Sequence, residues 1–187
     1  MIYIIPTDTC YGICCSIDDI KSYEKIYKIK KRDKSKPLAV MVYDYKYLKK
    51  ISDLNNQQIK FLKEYKYPFT ILTNSDYINH WIKYKNELGV GFFNDSIYNK
   101  IAIRVAHNDI QKKYIGKVGP IFLTSANFSG KKEIYTIKGL ENTFKDYLEK
   151  KEVEIIGNNN LKETVASDIF EFVGDTLEIN YFRKKRA

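Results

Sequence analysis

The segment Thr124–Gly130 combines side chains that can bind a polar ligand at the end of a strand. It reads TSANFSG and follows the apolar run 120–123 (PIFL), which predicts a short buried strand. The side chains of Ser125, Asn127 and Ser129 offer both hydrogen-bond donors and acceptors, so they can bind a polar ligand. An ordinary turn uses the same residue types, so this segment alone leaves both interpretations open.

A second polar segment, Pro6–Gly12 (PTDTCYG), comes directly after the first strand-like run. Thr7, Asp8 and Thr9 could form the floor of a polar pocket, while Gly12 gives the backbone freedom to turn. A turn without a binding role would have the same composition. The two interpretations again stand side by side.

The third segment is strongly basic. Six of the nine residues 28–36 (KIKKRDKSK) are Lys or Arg, and Pro37 separates them from the next apolar run. A cationic loop between a helix and a strand suits a phosphate chain, because Arg offers a bidentate fork and Lys a point charge. A solvated charged surface is the alternative. The chain contains neither GxxxxGKS/T nor GxGxxG, so cationic side chains must do more of any phosphate binding than backbone amides.

Three further residues are candidates for the same site. Arg104 stands inside the strand-like run 101–105 (IAIRV), where a buried arginine needs a partner such as a ligand carboxylate. An outward-facing arginine is the alternative. Ser167 and Arg183 begin and end the last pair of strand-like runs and could close over a site.

Composition indicates one globular domain over residues 1–187. The chain is 44% hydrophobic and 29% charged, and it has neither an internal repeat nor a linker rich in Pro, Gly or Ser. No apolar run approaches the roughly 18 residues of a membrane span, and no signal-peptide pattern follows Met1. We therefore expect a cytoplasmic protein without membrane contact. The net charge of +9 permits polyanionic partners such as nucleotides or RNA.

The three cysteines, Cys10, Cys14 and Cys15, fall within six residues and form no CxxC motif. Their odd number argues against a disulfide framework, and the motif for a zinc site is missing. We expect them to be small buried residues of a reduced protein.

The elements that must position these residues alternate along the chain. Strand-like runs occupy 2–5, 38–42, 69–73, 101–105, 121–125, 153–156, 167–173 and 176–182, and the last two predict a hairpin joined at Gly174-Asp175. Helical patterns begin after Asp18 or Asp19, after Asn55 or Asn56, and after Asn108, and a fourth covers about 139–151. Interleaved strands and helices with a closing hairpin predict an α/β fold with a mixed sheet. We expect an irregular excursion over 74–100, around Trp81, and a turn or lid hinge at 158–160.

In this order the segments resemble the YrdC/Sua5/TsaC family of threonylcarbamoyl-AMP synthases. The resemblance covers residues 2–183 and is carried by PTDTCYG, KIKKRDKSKPLAV, PFTIL, IAIRV, TSANFSG, ASDIFEF and a late arginine. It implies a twisted, open, mixed α/β sheet with flanking helices around a large cationic cavity. It also implies an enzyme, a nucleotidyltransferase that forms L-threonylcarbamoyl-AMP and pyrophosphate from L-threonine, bicarbonate or CO2, and ATP with Mg2+.

The implied product serves the N6-threonylcarbamoyl modification of adenosine at position 37 of tRNAs that decode ANN codons. A downstream threonylcarbamoyl transferase complex is therefore an implied partner, and contact with tRNA or double-stranded RNA is a further expectation. The family gives Mg2+ through ATP, with no direct protein ligands to the metal.

The resemblance also assigns residues. Thr9, Arg104 and Ser167 match the positions that bind L-threonine, with Arg104 on its carboxylate. ATP is assigned to Arg32, Lys36, Ser125, Asn127 and Arg183, and Lys30 with Arg32 forms the KxR pair to which we assign the catalytic role. An STV-type motif reads Ser167-Asp168-Ile169 here, and an alternative register runs through Thr164-Val165.

Two other functions compete with this one. A carbamoyl-adenylate-forming enzyme, like the related domain of hydrogenase-maturation carbamoyltransferases, would use a similar cavity. An RNA-binding or ribosome-associated factor would use the same cationic surface, supported by the charge of +9.

Overall fold

The computed structural model describes residues 1–74 and 100–184. In these ranges the chain forms nine strands and five helices. The strands are β1 Ile2–Pro6, β2 Tyr11–Ser16, β3 Ala39–Val42, β4 Phe69–Thr73, β5 Ile101–Val105, β6 Ile121–Ser125, β7 Val153–Ile155, β8 Asp168–Phe172 and β9 Ile179–Arg183. The helices are α1 Ile20–Lys30, α2 Tyr45–Ile51, α3 Asn56–Glu64, α4 Asp109–Val118 and α5 Ile137–Glu149.

All nine strands belong to one sheet. Their order is β7-β1-β2-β6-β3-β5-β4-β8-β9, so β7 and β9 are its two edges. The pairs β1/β7, β3/β5 and β4/β8 are parallel and the other five are antiparallel. The predicted α/β fold with an open mixed sheet is confirmed.

The helices begin where side chains can cap them. Asp19 accepts a hydrogen bond from the backbone N of Ser22 at the start of α1. Asn55 and Asn108 each form a capping box at the start of α3 and α4. Such residues satisfy backbone N–H groups that lack a partner inside the helix. The predicted starts of these three helices are confirmed, while α2 was not predicted and α5 begins two residues earlier than expected.

Strand β2 is a second element, besides α2, that the sequence did not reveal. Its first five residues are all buried, so the chain shows no alternation of polar and apolar side chains there. The segment interpreted as one polar stretch, 6–12, is divided instead: Thr7–Cys10 is the turn of a β1–β2 hairpin, closed by the backbone bond from Thr7 N to Cys10 O. The turn between β8 and β9 is also longer than the predicted two residues, since it spans 173–178 and is closed from Val173 N to Glu178 O.

The two faces of the sheet carry different layers. One face packs against α1, α2, α3 and α5 in the larger apolar core, with Ile26, Leu48, Leu62 and Phe144 fully buried there. The opposite face has a smaller core around Tyr114 and Ile115 of α4. Because α4 covers only part of that face, room remains beside it for a ligand.

Cys10, Cys14 and Cys15 are free and buried, as expected. Burial raises the pKa of all three thiols, so they stay protonated at neutral pH. Among the described residues, no helix has the length and apolar character that crossing a membrane requires. The expected excursion around Trp81 lies outside the described residues.

Candidate functional site

A cavity of about 650 Å³ lies on the sheet face that carries α4. Small side chains leave this space open, because Gly12, Ala39 and Ala102 come from three different strands and all line it. Gly12 is the tightest point: a Cβ atom there would lie 2.6 Å from Cδ1 of Leu123. The cavity is therefore a consequence of residue size at the middle of the sheet.

The cavity is cationic. The basic side chains that line it, among the described residues, are Arg32, Lys36, Lys100, Arg104 and Arg183. Glu133 is the one carboxylate that residues 1–74 and 100–184 contribute to the same lining. Such an excess of positive charge in an enclosed site favours anionic ligands.

Seven of the nine residues assigned from the sequence line this single cavity: Thr9, Arg32, Lys36, Arg104, Ser125, Ser167 and Arg183. They come from five strands, or the turns next to them, and from the loop after α1. The other two, Lys30 and Asn127, are buried immediately behind the wall. The fold thus brings together residues that are up to 174 positions apart, since 183 − 9 = 174.

Arg32 and Lys36 are presented by a tight loop after α1. The helix ends because Lys31 adopts a left-handed conformation, with φ of 50°. Nε of Arg32 then donates to the carbonyl of Lys36 at 2.9 Å, and Nη2 donates to that of Pro37 at 3.3 Å. These neutral partners orient the guanidinium without cancelling its charge, so the charge remains available to a phosphate.

Lys30 anchors the strand-end segment, Thr124–Gly130, from behind the cavity wall. Its Nζ donates to the carbonyl of Ser125, to the carbonyl of Asn127 at 2.6 Å and to Oδ1 of Asn127 at 3.2 Å. The backbone N of Ser129 donates in turn to the carbonyl of Lys30 at 2.9 Å. Burial, with a further contribution from the charge of Arg32, lowers the pKa of Lys30 to about 8.

The same segment is held by its own side chains. Oγ of Ser125 donates to Oδ1 of Asn127 at 2.6 Å, and Nδ2 of Asn127 donates to the carbonyl of Lys131. Asn127 therefore fixes Ser125, which lines the cavity, while Asn127 itself does not. The turn interpretation and the binding-site interpretation of TSANFSG are both consistent with this geometry, because the turn presents the serine.

Arg104 reaches the cavity from β5 and pairs with a carboxylate of the protein. Its Nη2 donates to Oδ1 of Asp8, in the β1–β2 turn. The side chains of Arg104 and Asp8 are 11% and 20% exposed. The arginine is therefore buried with a partner, as its position in a strand requires.

Arg183 is aimed into the cavity by a β-bulge. Ile169 pairs with Arg183 and Phe170 pairs with Tyr181, so Phe182 is an extra residue on β9. Nε of Arg183 donates to the carbonyl of Ser167 at 2.8 Å, and Nη2 donates to its Oγ at 3.0 Å. Burial and the nearby charge of Arg104 lower the pKa of Arg183.

The segment before β8 forms the opposite wall. Oγ1 of Thr164 donates to the carbonyl of Thr9 at 3.1 Å, and Oη of Tyr135 donates to the carbonyl of Thr164 at 3.2 Å. Oη of Tyr11 donates to the carbonyl of Asn159 at 2.5 Å, in the segment proposed as a hinge. Both registers of the late motif thus meet the cavity, since Thr164 and Ser167 line it together.

Sequence reasoning missed four lining residues with polar or charged side chains: Thr70, Lys100, Glu133 and Tyr135. Thr70 had a signal, because it is one of the two polar residues of the strand FTILT. Its Oγ1 lies 3.2 Å from Oγ of Ser167. Lys100 precedes β5 and forms an ion pair with Glu171 at 3.0 Å. Glu133 and Tyr135 stand in a loop whose composition gives no such signal.

The fold and the cavity define an α/β protein with a cationic ligand-binding cavity on one face of its sheet. A family model described as "Telomere recombination", for Sua5, YciO and YrdC proteins, matches residues 1–183. The chain therefore belongs to the Sua5/YciO/YrdC family, which confirms the resemblance seen in its motifs.

Relatives in sequence agree with this assignment. A Methanocaldococcus jannaschii protein is 27% identical over 177 residues, covering 94% of this chain and 76% of that protein. A Vibrio campbellii protein named threonylcarbamoyl-AMP synthase is 26% identical over 149 residues, covering 76% of this chain and 74% of that protein.

Solved structures share the fold. P. abyssi Sua5 complexed with L-threonine superposes with a TM-score of 0.73 at 19% identity, over 98% of this chain and 50% of that one. Full-length HypF in a phosphate- and nucleotide-bound form gives 0.74 at 17% identity, over 99% of this chain and 27% of that one. The chain thus spans half the length of that Sua5 and about a quarter of HypF.

Proposed function

We propose that this chain is an L-threonylcarbamoyladenylate synthase. It would form threonylcarbamoyl-AMP and pyrophosphate from L-threonine, bicarbonate or CO2, and ATP. Family membership and the name of the Vibrio campbellii relative support this proposal. The observation that carries it is the meeting of seven motif residues, from Thr9 to Arg183, around one cationic cavity.

The reaction suits a site of this composition. The amine of threonine attacks CO2 with loss of a proton, or bicarbonate with loss of water, to give a carbamate. The carbamate then attacks the α-phosphorus of ATP with pyrophosphate as the leaving group. Every reactant except the amine and CO2 is anionic, so charge neutralisation and alignment matter more than a protein nucleophile. The part of the chain that the structure describes supplies five cationic side chains to the lining for that purpose.

The geometry suggests a division of the cavity. Arg32 and Lys36, on one loop, would bind the phosphates, and Ser125 would contact the nucleotide with Asn127 behind it. Arg104, Thr9 and Ser167 would bind threonine. Arg183 bonds to Ser167 and lies near Arg104, so it would stand between the two substrates.

Mg2+ would enter as a complex with the triphosphate and contribute charge neutralisation there. Within residues 1–74 and 100–184, no group of three or more His, Cys, Asp or Glu side chains is placed to hold a metal ion. Glu133, the lining carboxylate, would be the protein group available to a phosphate-bound metal. This donor set fits a cation that keeps most of its ligands from phosphate and water.

Threonine-dependent release of pyrophosphate tests the proposal. The purified protein is incubated with ATP, Mg2+, bicarbonate and labelled L-threonine, and both pyrophosphate and the labelled adenylate are measured. Arg32→Ala and Arg104→Ala should each reduce activity, the first through the KM for ATP and the second through the KM for threonine. Lys145→Ala is the matched control, because Lys145 lies on the far-side helix α5 with its side chain 72% exposed.

The outcomes separate the competing functions. No threonine-dependent release in the presence of Mg2+ would refute the synthase. Release that depends on carbamoyl phosphate would favour a carbamoyl-adenylate-forming enzyme, and RNA binding that survives Arg32→Ala would favour a binding factor. The tRNA or double-stranded RNA contact, the transferase complex and the cytoplasmic location stay predictions.

A further inference from the structure

The ion pair between Asp8 and Arg104 joins a carboxylate to an arginine of the cavity lining, although Asp8 itself is not one of the lining residues. Arg104 lines the cavity from β5, and Asp8 precedes Thr9, which also lines it. The hydrogen bond from Nη2 of Arg104 to Oδ1 of Asp8 joins them directly. Both side chains are mostly buried. The charges are therefore only weakly screened by solvent.

Pairing with Arg104 satisfies the buried arginine, but it also brings a carboxylate next to a cavity that is lined mostly by basic side chains. Asp8 cancels part of the positive charge that Arg104 would offer to a ligand carboxylate. It does not exhaust the guanidinium, which has five N–H donors, and the bond to Asp8 uses one of them. A ligand carboxylate can therefore bind the remaining donors, but its charge would then lie close to that of Asp8.

We propose that Asp8 is a specificity-determining residue that binds the α-ammonium group of the amino-acid substrate while Arg104 binds its carboxylate. In an α-amino acid the two charges are carried on neighbouring atoms, so the ligand presents the complement of the Asp8–Arg104 pair. The ammonium relieves the repulsion between the two carboxylates. The inference rests on the proposed function for the identity of the amino acid.

The pair then selects against ligands that carry one of the two charges. A hydroxy acid would place its carboxylate beside Asp8 without a compensating cation. An amino alcohol would leave Arg104 without its second carboxylate. A charge-assisted hydrogen bond contributes about 1.5–3 kcal/mol, so each loss corresponds to about ten- to hundredfold in affinity.

The first test is calorimetry on the unmodified protein. Titrations with L-threonine, 3-hydroxybutyrate and threoninol, all without ATP, compare the zwitterion with the same skeleton lacking the amine or the carboxylate. L-Threonine should bind at least about tenfold more tightly than either analogue. Equal affinity for threonine and 3-hydroxybutyrate, or no threonine binding at all, would overturn the proposal.

The second test repeats these titrations with Asp8→Asn, because the amide keeps the shape of the side chain and removes its charge. The preference for threonine over 3-hydroxybutyrate should fall about tenfold or more, and Asp8→Glu should restore part of it. Asp109→Asn is the control, since Asp109 is an exposed aspartate in the first turn of α4. A thermal melt of each variant confirms that it is folded.

The ratio of the affinities for threonine and 3-hydroxybutyrate distinguishes recognition of the ammonium by Asp8 from a purely structural role of Asp8. If Asp8 served only to orient Arg104, both ligands would lose affinity in parallel and the preference would stay unchanged, which would refute the proposal. If Asp8→Asn does not fold, Asp8→Ser, which also removes the charge, takes its place in the same titrations. Pyrophosphate release tests the proposed function independently. A preference for the amine without threonine-dependent release would refute the synthase activity and leave the role of Asp8 supported.

Discussion

Replacing Lys30 with methionine should weaken ATP binding and leave the stability of the fold nearly unchanged. The Nζ of Lys30 holds the carbonyls of Ser125 and Asn127 and the side chain of Asn127, so it fixes the segment that presents Ser125 to the cavity. Methionine fills a similar volume without a donor. With the anchor lost, we expect the KM for ATP to rise about tenfold or more, the equivalent of one charge-assisted hydrogen bond.

Two opposing terms determine the change in stability. Without Lys30, the carbonyl of Ser125 still accepts from the backbone N of Asn127 at 3.0 Å, and Oδ1 of Asn127 still accepts from Oγ of Ser125 at 2.6 Å. Among the described residues, the carbonyl of Asn127 alone loses its donor, at a cost of about 1–3 kcal/mol. Removal of the buried ammonium offsets this, because a pKa lowered from 10.5 to about 8 corresponds to roughly 3 kcal/mol. The free energy of unfolding should therefore change by less than about 2 kcal/mol.

The pH dependence gives an independent check with a definite sign. Between about pH 8 and 10.5 the unfolded chain keeps the Lys30 proton and the folded chain releases it. The unfolded state binds more protons in this window, so the free energy of unfolding contributed by Lys30 rises with pH there. The unmodified protein should gain up to about 3 kcal/mol over this range relative to Lys30→Met, which has no such group.

The assay is pyrophosphate release at varied ATP with saturating threonine, together with ATP binding by calorimetry and unfolding in urea at several pH values. Lys145→Met, on the exposed side of α5, controls for the loss of one lysine. A lower kcat with an unchanged KM for ATP would refute the anchoring role and support direct participation of Lys30 in the chemistry. A loss of stability above about 4 kcal/mol would contradict the balance of the two terms.

Three further predictions concern the walls of the site and the helix beside it. Arg183→Ala should raise the dissociation constant for ATP about tenfold in calorimetry, because a cation is lost from the lining. Gly12→Ala should lower the free energy of unfolding in urea by about 1–3 kcal/mol, since its Cβ would meet Cδ1 of Leu123 at 2.6 Å, and a second change, Leu123→Ala, should recover part of the loss. Asn108→Ala should lower that free energy by about 1 kcal/mol through loss of the cap on Gln111 N; full stability in this variant would contradict the assigned helix start.

Local chemistry made much of the fold predictable. Asp19, Asn55 and Asn108 start helices because a short polar side chain satisfies the free backbone N–H of the residue three positions ahead. This requires no knowledge of tertiary structure. Strand β5 was equally clear from its branched apolar residues. The motif order then placed seven assigned residues, all of which the fold brings to one cavity.

The features that were missed depend on distant neighbours. Strand β2 lies between β1 and β6 and is buried on both faces, so its sequence has no polar side to reveal it. The direction of Arg183 depends on the bulge opposite Ile169 and Phe170. Without that extra residue, the arginine would face the aromatic core and Phe182 would face the cavity, because successive side chains of a strand alternate between faces. The alternation of side chains along one strand does not show whether that strand has an extra residue relative to the strand it pairs with.

The KxR pair shows how far a motif can be interpreted without the fold. Lys30 and Arg32 stand two residues apart and carry the same charge, so the sequence suggests that they act together on the phosphates. The left-handed residue between them, Lys31, ends α1 and reverses the direction of the chain. It sends the lysine behind the wall, to the carbonyls of the strand-end segment, and the arginine into the cavity. The two cations therefore lie on opposite sides of the cavity wall: Lys30 holds the strand-end segment in place, and Arg32 faces the cavity.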